Sequence, residues 1–195
     1  MIQAALWLII TVVIYLAAKR LYGLFPKVYL TPLLVEPATI ALAITLYRHM
    51  DILRKNVWVI AISVTAGAVI AIITSVGAAY LFGLDTEVIE SLAPRSATTP
   101  IAVSISGSIG GVPTITAVAT LITGLIGLIA GPLIIKWFGI KSAVARGILF
   151  GTSAHSAGIS KALEYDAVTG SVASIAMMVT AFVTLLATPW LMGLW

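Results

Sequence analysis

The chain has 195 residues, 61% of them hydrophobic and 9% charged, with a mean hydropathy of +1.13. A soluble domain carries about half apolar and about a quarter charged residues, so this composition excludes a water-soluble globule and makes lipid the solvent. The lack of cysteine excludes a disulfide framework, a thiolate metal site and a cysteine nucleophile, and a net charge of +4 from eleven scattered basic residues argues against nucleic-acid binding.

A bilayer core of about 30 Å takes about 20 apolar residues in a helix, because lipid leaves exposed backbone groups unsatisfied. Residues 2–18 form the first such run. Lys19 and Arg20 follow it rather than lead it, so it reads as a retained helix and not as a secretory signal. Residues 30–47 are apolar but broken, with Glu36 set between Pro32 and Pro37. Uninterrupted runs return at 57–82, 112–138 and 171–195. Between them lie two further apolar segments, 91–111 and 143–170, punctured by Pro, Gly, Ser and Thr.

The charges segregate along this order. Lys19, Arg20 and Lys27, then Arg48, Arg54 and Lys55, then Lys136, Lys141 and Arg146 mark three basic loops, whereas Asp85, Glu87 and Glu90 share one acidic loop. Basic loops stay in the cytoplasm, so the acidic loop and both termini are expected outside. Segment 30–47 conflicts with this scheme, because the loops on both of its sides are basic. It either dips in and returns, or a crossing is missing.

Segment 91–111 is the most informative. Pro94, Pro100 and Pro113 remove helix donors, Gly107, Gly110 and Gly111 loosen the backbone, and seven hydroxyls offer to satisfy the freed groups. An external loop packed on the surface is the bland reading. The sharper one is a re-entrant half-helix, since broken backbone at membrane depth is tolerated only inside protein or beside water. Its N-terminus near Thr98 and Thr99 presents free N–H groups to an anion, and Arg95 adds a charge suited to a carboxylate. Segment 143–170 starts from the opposite face, with Thr152, Ser153, His155, Ser156 and Lys161 among Gly147, Gly151 and Gly158. His155 reads either as an interhelical hydrogen-bonder or as a functional group, for ionisable residues within the membrane are costly. Lys161, Glu164 and Asp166 read equally as a solvated helix end.

Two broken segments entering from opposite faces point to an inverted-repeat secondary transporter, although the halves share no residue repeat. Gly127 and Gly131 form a small-residue face suited to helix packing. Trp58, Trp137, Trp190 and Trp195 sit at span ends as interfacial anchors, and His49 carries no evident role. No phosphate loop, zinc motif or nucleophile–base pair is present, so neither an enzyme nor a cofactor or metal site is expected.

Leu92-Ala-Pro-Arg-Ser-Ala-Thr-Thr-Pro-Ile-Ala and Ile105-Ser-Gly-Ser-Ile-Gly-Gly-Val-Pro-Thr-Ile-Thr-Ala resemble the signature of the LrgB/CidB family. So do Ala145-Arg-Gly, Gly151-Thr-Ser-Ala-His, Lys161-Ala and Pro37-Ala-Thr-Ile-Ala-Leu-Ala, and the resemblance covers essentially the whole chain. Thr45 stands where the family usually has proline, and Ser156-Ala-Gly-Ile-Ser replaces a glycine-rich run after His155. Family members also carry about one more crossing before the Pro-Ala-Thr motif. The chain is therefore expected to be shortened near Val35 and Glu36, and restoring that crossing would remove the charge conflict.

The resemblance implies two functions. One is transport of a small monocarboxylate such as pyruvate, glycolate or glycerate. The other is an antiholin- or holin-like regulator of murein hydrolase activity and autolysis, beside a small LrgA/CidA-like membrane protein. The broken segments favour transport. The expected protein is an all-α, multi-pass, bacterial plasma-membrane protein of one membrane domain, with an N-terminal region over 1–56 and a core over 57–195. Its expected substrate-binding residues are Arg95, Ser96, Thr98, Thr99, Ser106, Gly110 and Gly111, facing Thr152, Ser153, His155 and Ser156, with His155 as proton relay. The expected partners are a small organic anion, the lipid bilayer, an LrgA/CidA-like protein and, in a homodimer, a second copy.

Overall fold

The computed structural model describes residues 50–193. The expectations for 2–18 and 30–47, for the shortening near Val35 and Glu36, and for His49 and Trp195 lie outside them. Among the described residues there are eight α-helices and no strand: α1 (Met50–Lys55), α2 (Val57–Leu81), α3 (Thr86–Leu92), α4 (Thr99–Ile109), α5 (Pro113–Trp137), α6 (Ala143–Ser153), α7 (His155–Tyr165) and α8 (Ala167–Met192).

Three of these, α2, α5 and α8, are long and apolar enough to cross a membrane. At about 1.5 Å per residue, 25 residues reach about 37 Å, more than a hydrocarbon core needs. On α5 and α8 the burial pattern is the reverse of a water-soluble helix. On α5 the buried face is Thr116, Thr120, Gly124, Gly127 and Gly131, while Leu121, Ile122, Leu125, Ile126 and Ile129 are exposed. On α8 the buried face is mostly Gly, Ala, Ser and Thr, and Phe182 and Leu186 face outward. Small residues inside and large apolar ones outside suit helices that associate by close approach in lipid.

The expected spans at 57–82 and 112–138 coincide with α2 and α5. The last long helix begins at Ala167, four residues before the expected 171 and within the expected broken segment, because Asp166 caps it. The Asp166 carboxylate accepts from the Thr169 N–H at 2.7 Å and from the Thr169 hydroxyl at 2.7 Å.

Segment 91–111 resolves into the end of α3, a turn over 93–98, and α4. A proline at the start of α4 needs no N–H there, and Gly110, at φ +104°, ends the helix in the left-handed region. Segment 143–170 resolves into α6 and α7, which fold back on one another at Ala154 and His155. Gly158 lets α7 approach the Phe150 carbonyl and Ala154, while at the base the Arg146 guanidinium lies 5.2 Å from the Tyr165 ring centroid and Phe150 stacks 5.8 Å from it. Gly147 and Gly151 seat α6 on Thr169, Val172, Ala173 and Ala176 of α8.

The cluster of Ile72, Val76, Ala79, Ile89 and Ala93 packs with Ala187, Leu191 and Met192, so α2 and α8 end at the same level. The Val112 N–H donates to Ser91 at that level, so α5 starts where they finish. Asp85, Glu87 and Glu90 belong to this end, and Lys136, Lys141 and Arg146 to the opposite one.

Candidate functional site

Arg95 lies on the 93–98 turn and is clamped from two sides. Its Nε donates to the Ser75 hydroxyl of α2 at 2.8 Å, and Nη1 donates to the Thr123 hydroxyl of α5 at 3.1 Å. Both acceptors are pre-set, because Ser75 donates its own proton to the Leu92 carbonyl at 3.0 Å and Thr123 donates its proton to the Ala119 carbonyl at 2.8 Å. Their lone pairs are therefore left for the guanidinium. Of its five N–H groups three remain, one on Nη1 and two on Nη2, on the edge that binds a carboxylate in two-pronged fashion. No carboxylate fills that edge: among the described residues the one ion pair is the exposed Lys161–Glu164 contact on α7. A partly buried cation held only by neutral hydroxyls is a costly arrangement.

His155 approaches the same turn from the tip of the α6–α7 hairpin. Its imidazole lies beside the Arg95 main chain, close enough to feel the guanidinium charge. The ring is buried, and its Nε2 has no hydrogen-bond partner among the described residues. Its backbone sits at φ +51°, in the left-handed region that L-residues rarely occupy. Such a conformation persists only where packing imposes it, and it clusters at functional positions. The packing comes from α5. A side chain at Gly127 would run into the Ser153 carbonyl and Ala154, and one at Gly124 would touch the His155 ring. The small face of α5 thus seats the hairpin tip.

The remaining expected residues divide. Ser96 is buried on the Arg95 turn, and Thr98 and Thr99 open α4, where the Thr98 side chain makes no capping bond. The first N–H groups of α4 are free of intrahelical partners there. Ser106, Gly110 and Gly111 lie toward the other end of α4, about 10 to 18 Å away by helical rise. There the Thr116 hydroxyl meets Ser106 Oγ at 2.7 Å and the Ser91 carbonyl at 2.9 Å, and a side chain at Gly111 would strike Ser91. These three pack α3 and α4 onto α5, away from Arg95. Thr152 and Ser153 return their hydroxyls to the carbonyls of Ile148 and Leu149, and Ser156 is exposed.

Sequence reading missed Ser75 and Thr123, the two clamps. The available signal was a hydroxyl in the middle of an otherwise apolar span.

The model of the LrgB-like family matches residues 33–194. The chain is 41% identical to the uncharacterized protein YwbG of Bacillus subtilis, over 95% of this chain and 96% of that protein. It is 34% identical to YxaC of the same organism, over 91% and 90%. It is 40% identical to the antiholin-like protein LrgB of Bacillus cereus, over 81% and 69%. The alignment with YwbG has 216 positions but uses 95% of 195 residues, so about thirty positions have no counterpart in this chain. No solved structure matches.

Proposed function

The chain belongs to the LrgB-like family, and from that premise we propose that it carries a small monocarboxylate, such as pyruvate or glycolate, across a bacterial plasma membrane. The observation that carries the reading is Arg95: a fixed cation, its free edge unmatched by any acidic residue among the described ones, beside His155 of an opposed hairpin. Such a group lacks a counter-ion, and a transported carboxylate is one. Thr98, Thr99 and the first N–H groups of α4 add donors, and His155, whose buried Nε2 has no hydrogen-bond partner among the described residues, serves as the proton relay.

In this reading the α3–α4 and α6–α7 pairs are re-entrant hairpins from opposite faces of an inverted repeat. The depths support it. Ser75 lies six residues from the end of α2 and Thr123 ten from the start of α5, about 9 and 15 Å inward. Gly124, beside His155, is near the middle of α5. The basic end faces the cytoplasm and the acidic end lies outside. We place the thirty unmatched positions, about the size of one crossing, near Val35 and Glu36 in an N-terminal region over 1–56. A homodimer and an LrgA/CidA-like partner complete the proposal.

The test is uptake of labelled pyruvate or glycolate into proteoliposomes, with and without the small partner. Saturable flux is expected, and its absence in both refutes the reading. The relatives named antiholin-like favour a second reading, a regulator of murein hydrolases without transport. That reading predicts altered autolysis and tolerance of Arg95 substitution.

A further inference from the structure

Thr184 and Thr188 lie one turn apart on α8, both fully buried, and neither hydroxyl has a hydrogen-bond partner among the described residues. Within this chain that is unusual. Thr74, Thr120, Thr123, Thr152 and Thr180 each return the hydroxyl to the carbonyl four residues earlier, the ordinary resort of a helical hydroxyl in an apolar setting. Thr184 and Thr188 do not, although burying an unpaired hydroxyl is unfavourable.

Their direction follows from their neighbours on the helix. At about 100° per residue, both fall between two contacts of known partner. On one side Ala181 packs on Ala97 and Ala102. On the other, Ala187 and Leu191 pack on the cluster of Ile72, Val76 and Ala79 of α2 with Ile89 and Ala93. The two hydroxyls therefore point inward between the α2 contact and the Ala97–Ala102 contact, the side on which the 93–98 turn lies. By helical rise they stand about 12 and 6 Å below the end of α8, whereas Ser75, which grips Arg95, stands about 9 Å below the end of α2. The pair thus spans the stretch between the acidic end of the molecule and the guanidinium.

The groups converging there are donors: the N–H groups that open α4, the guanidinium, and two free hydroxyl protons, with no carboxylate among the described residues. A small cation would also accept hydroxyl oxygens as ligands, but it would meet the unbalanced charge of Arg95. The field selects an anion. We infer that Thr184 and Thr188 form a second station for the small carboxylate, between Arg95 and the acidic end, closed off from solvent in this structure. The inference rests on the transport reading and adds its route.

The chain contains no cysteine, so single replacements report cleanly. T184C and T188C, each in the full chain in proteoliposomes, are exposed to a membrane-impermeant thiol reagent added to either face. Both are expected to react from the face bearing the acidic end, and saturating pyruvate is expected to slow them. L186C, on the lipid-facing side of α8, stays unreactive because a thiolate does not form in lipid. T184V and T188V are expected to raise the KM for uptake by about tenfold, the loss of one hydrogen bond to a charged group. Silence of both cysteines from both faces overturns the inference, as does labelling that pyruvate leaves unchanged. Uptake in the unsubstituted protein with silent cysteines removes the station and leaves the transport reading standing. Labelling that pyruvate slows in a protein without flux supports the station and removes transport.

Discussion

Arg95→Met separates a functional arginine from a structural one. In the protein without substrate, the guanidinium has two hydrogen bonds to neutral hydroxyls, at 2.8 and 3.1 Å, and no counter-charge among the described residues. Replacing a buried, poorly paired charge by an apolar side chain of similar volume is often neutral or stabilising by about 1–4 kcal/mol. The two hydrogen bonds, about 1.5–3 kcal/mol each because the donor is charged, are already lost within such a replacement, and Ser75 and Thr123 keep their own carbonyl bonds. The net change in stability is therefore expected to be close to zero. Binding behaves differently. Removing one partner of a buried, hydrogen-bonded charge pair costs about 2–5 kcal/mol, or about 30- to 4000-fold in affinity. Arg95→Lys keeps the charge but loses the planar fork, so it lies between, with about 10- to 100-fold weaker uptake. Thermal unfolding in detergent reads stability, and proteoliposome uptake against pyruvate concentration reads binding. The reasoning is refuted if Arg95→Met unfolds several degrees earlier, which makes the residue structural, or if its uptake matches that of the unsubstituted protein.

Four further outcomes follow from the packing and the helix caps. Gly127→Ala places a methyl group 2.8 Å from the Ser153 carbonyl carbon and 2.9 Å from Ala154 Cβ, so it is expected to cost about 1–3 kcal/mol and to slow uptake by displacing His155. Gly67→Ala, on α2 with nothing within 4 Å, is expected to gain about 0.5–1 kcal/mol, and denaturation of the pair checks both signs. Because His155 holds φ +51°, His155→Gly is expected to be about 1 kcal/mol more stable than His155→Ala, with uptake impaired in both; equal stability removes the strain argument. Asp166→Ala is expected to lose about 1 kcal/mol, as the α8 cap goes. Burial pushes that carboxyl up, but bonds from the N–H and hydroxyl of Thr169 and from Val168 outweigh it and hold the carboxyl below its ordinary range. Its contribution is therefore complete above about pH 4 and fades as pH falls through the lowered value, so the gap between Asp166→Ala and the unsubstituted protein is expected to close in acid.

Composition and run length by themselves determined that this is a helical chain made for lipid, where α2 and α5 lie, and that 91–111 and 143–170 are broken. Those are local properties: a run of apolar side chains, a missing N–H at Pro100, a left-handed stop at Gly110. The α5 glycines likewise announced a close-packing face. The tertiary structure alone decided what that face receives, the tip that ends in Ser153, Ala154 and His155. It also decided that Arg95 is gripped by Ser75 and Thr123, 20 and 28 residues away in sequence. It drew Ser106, Gly110 and Gly111 into the packing at the far end of α4, and it left the Thr184 and Thr188 hydroxyls buried without a partner among the described residues. None of this has a sequence period, because a hydroxyl in an apolar span looks the same whether it bonds to its own helix or to a guanidinium. Which of the two it does depends on which helix faces meet, and that is settled by contacts between residues distant along the chain.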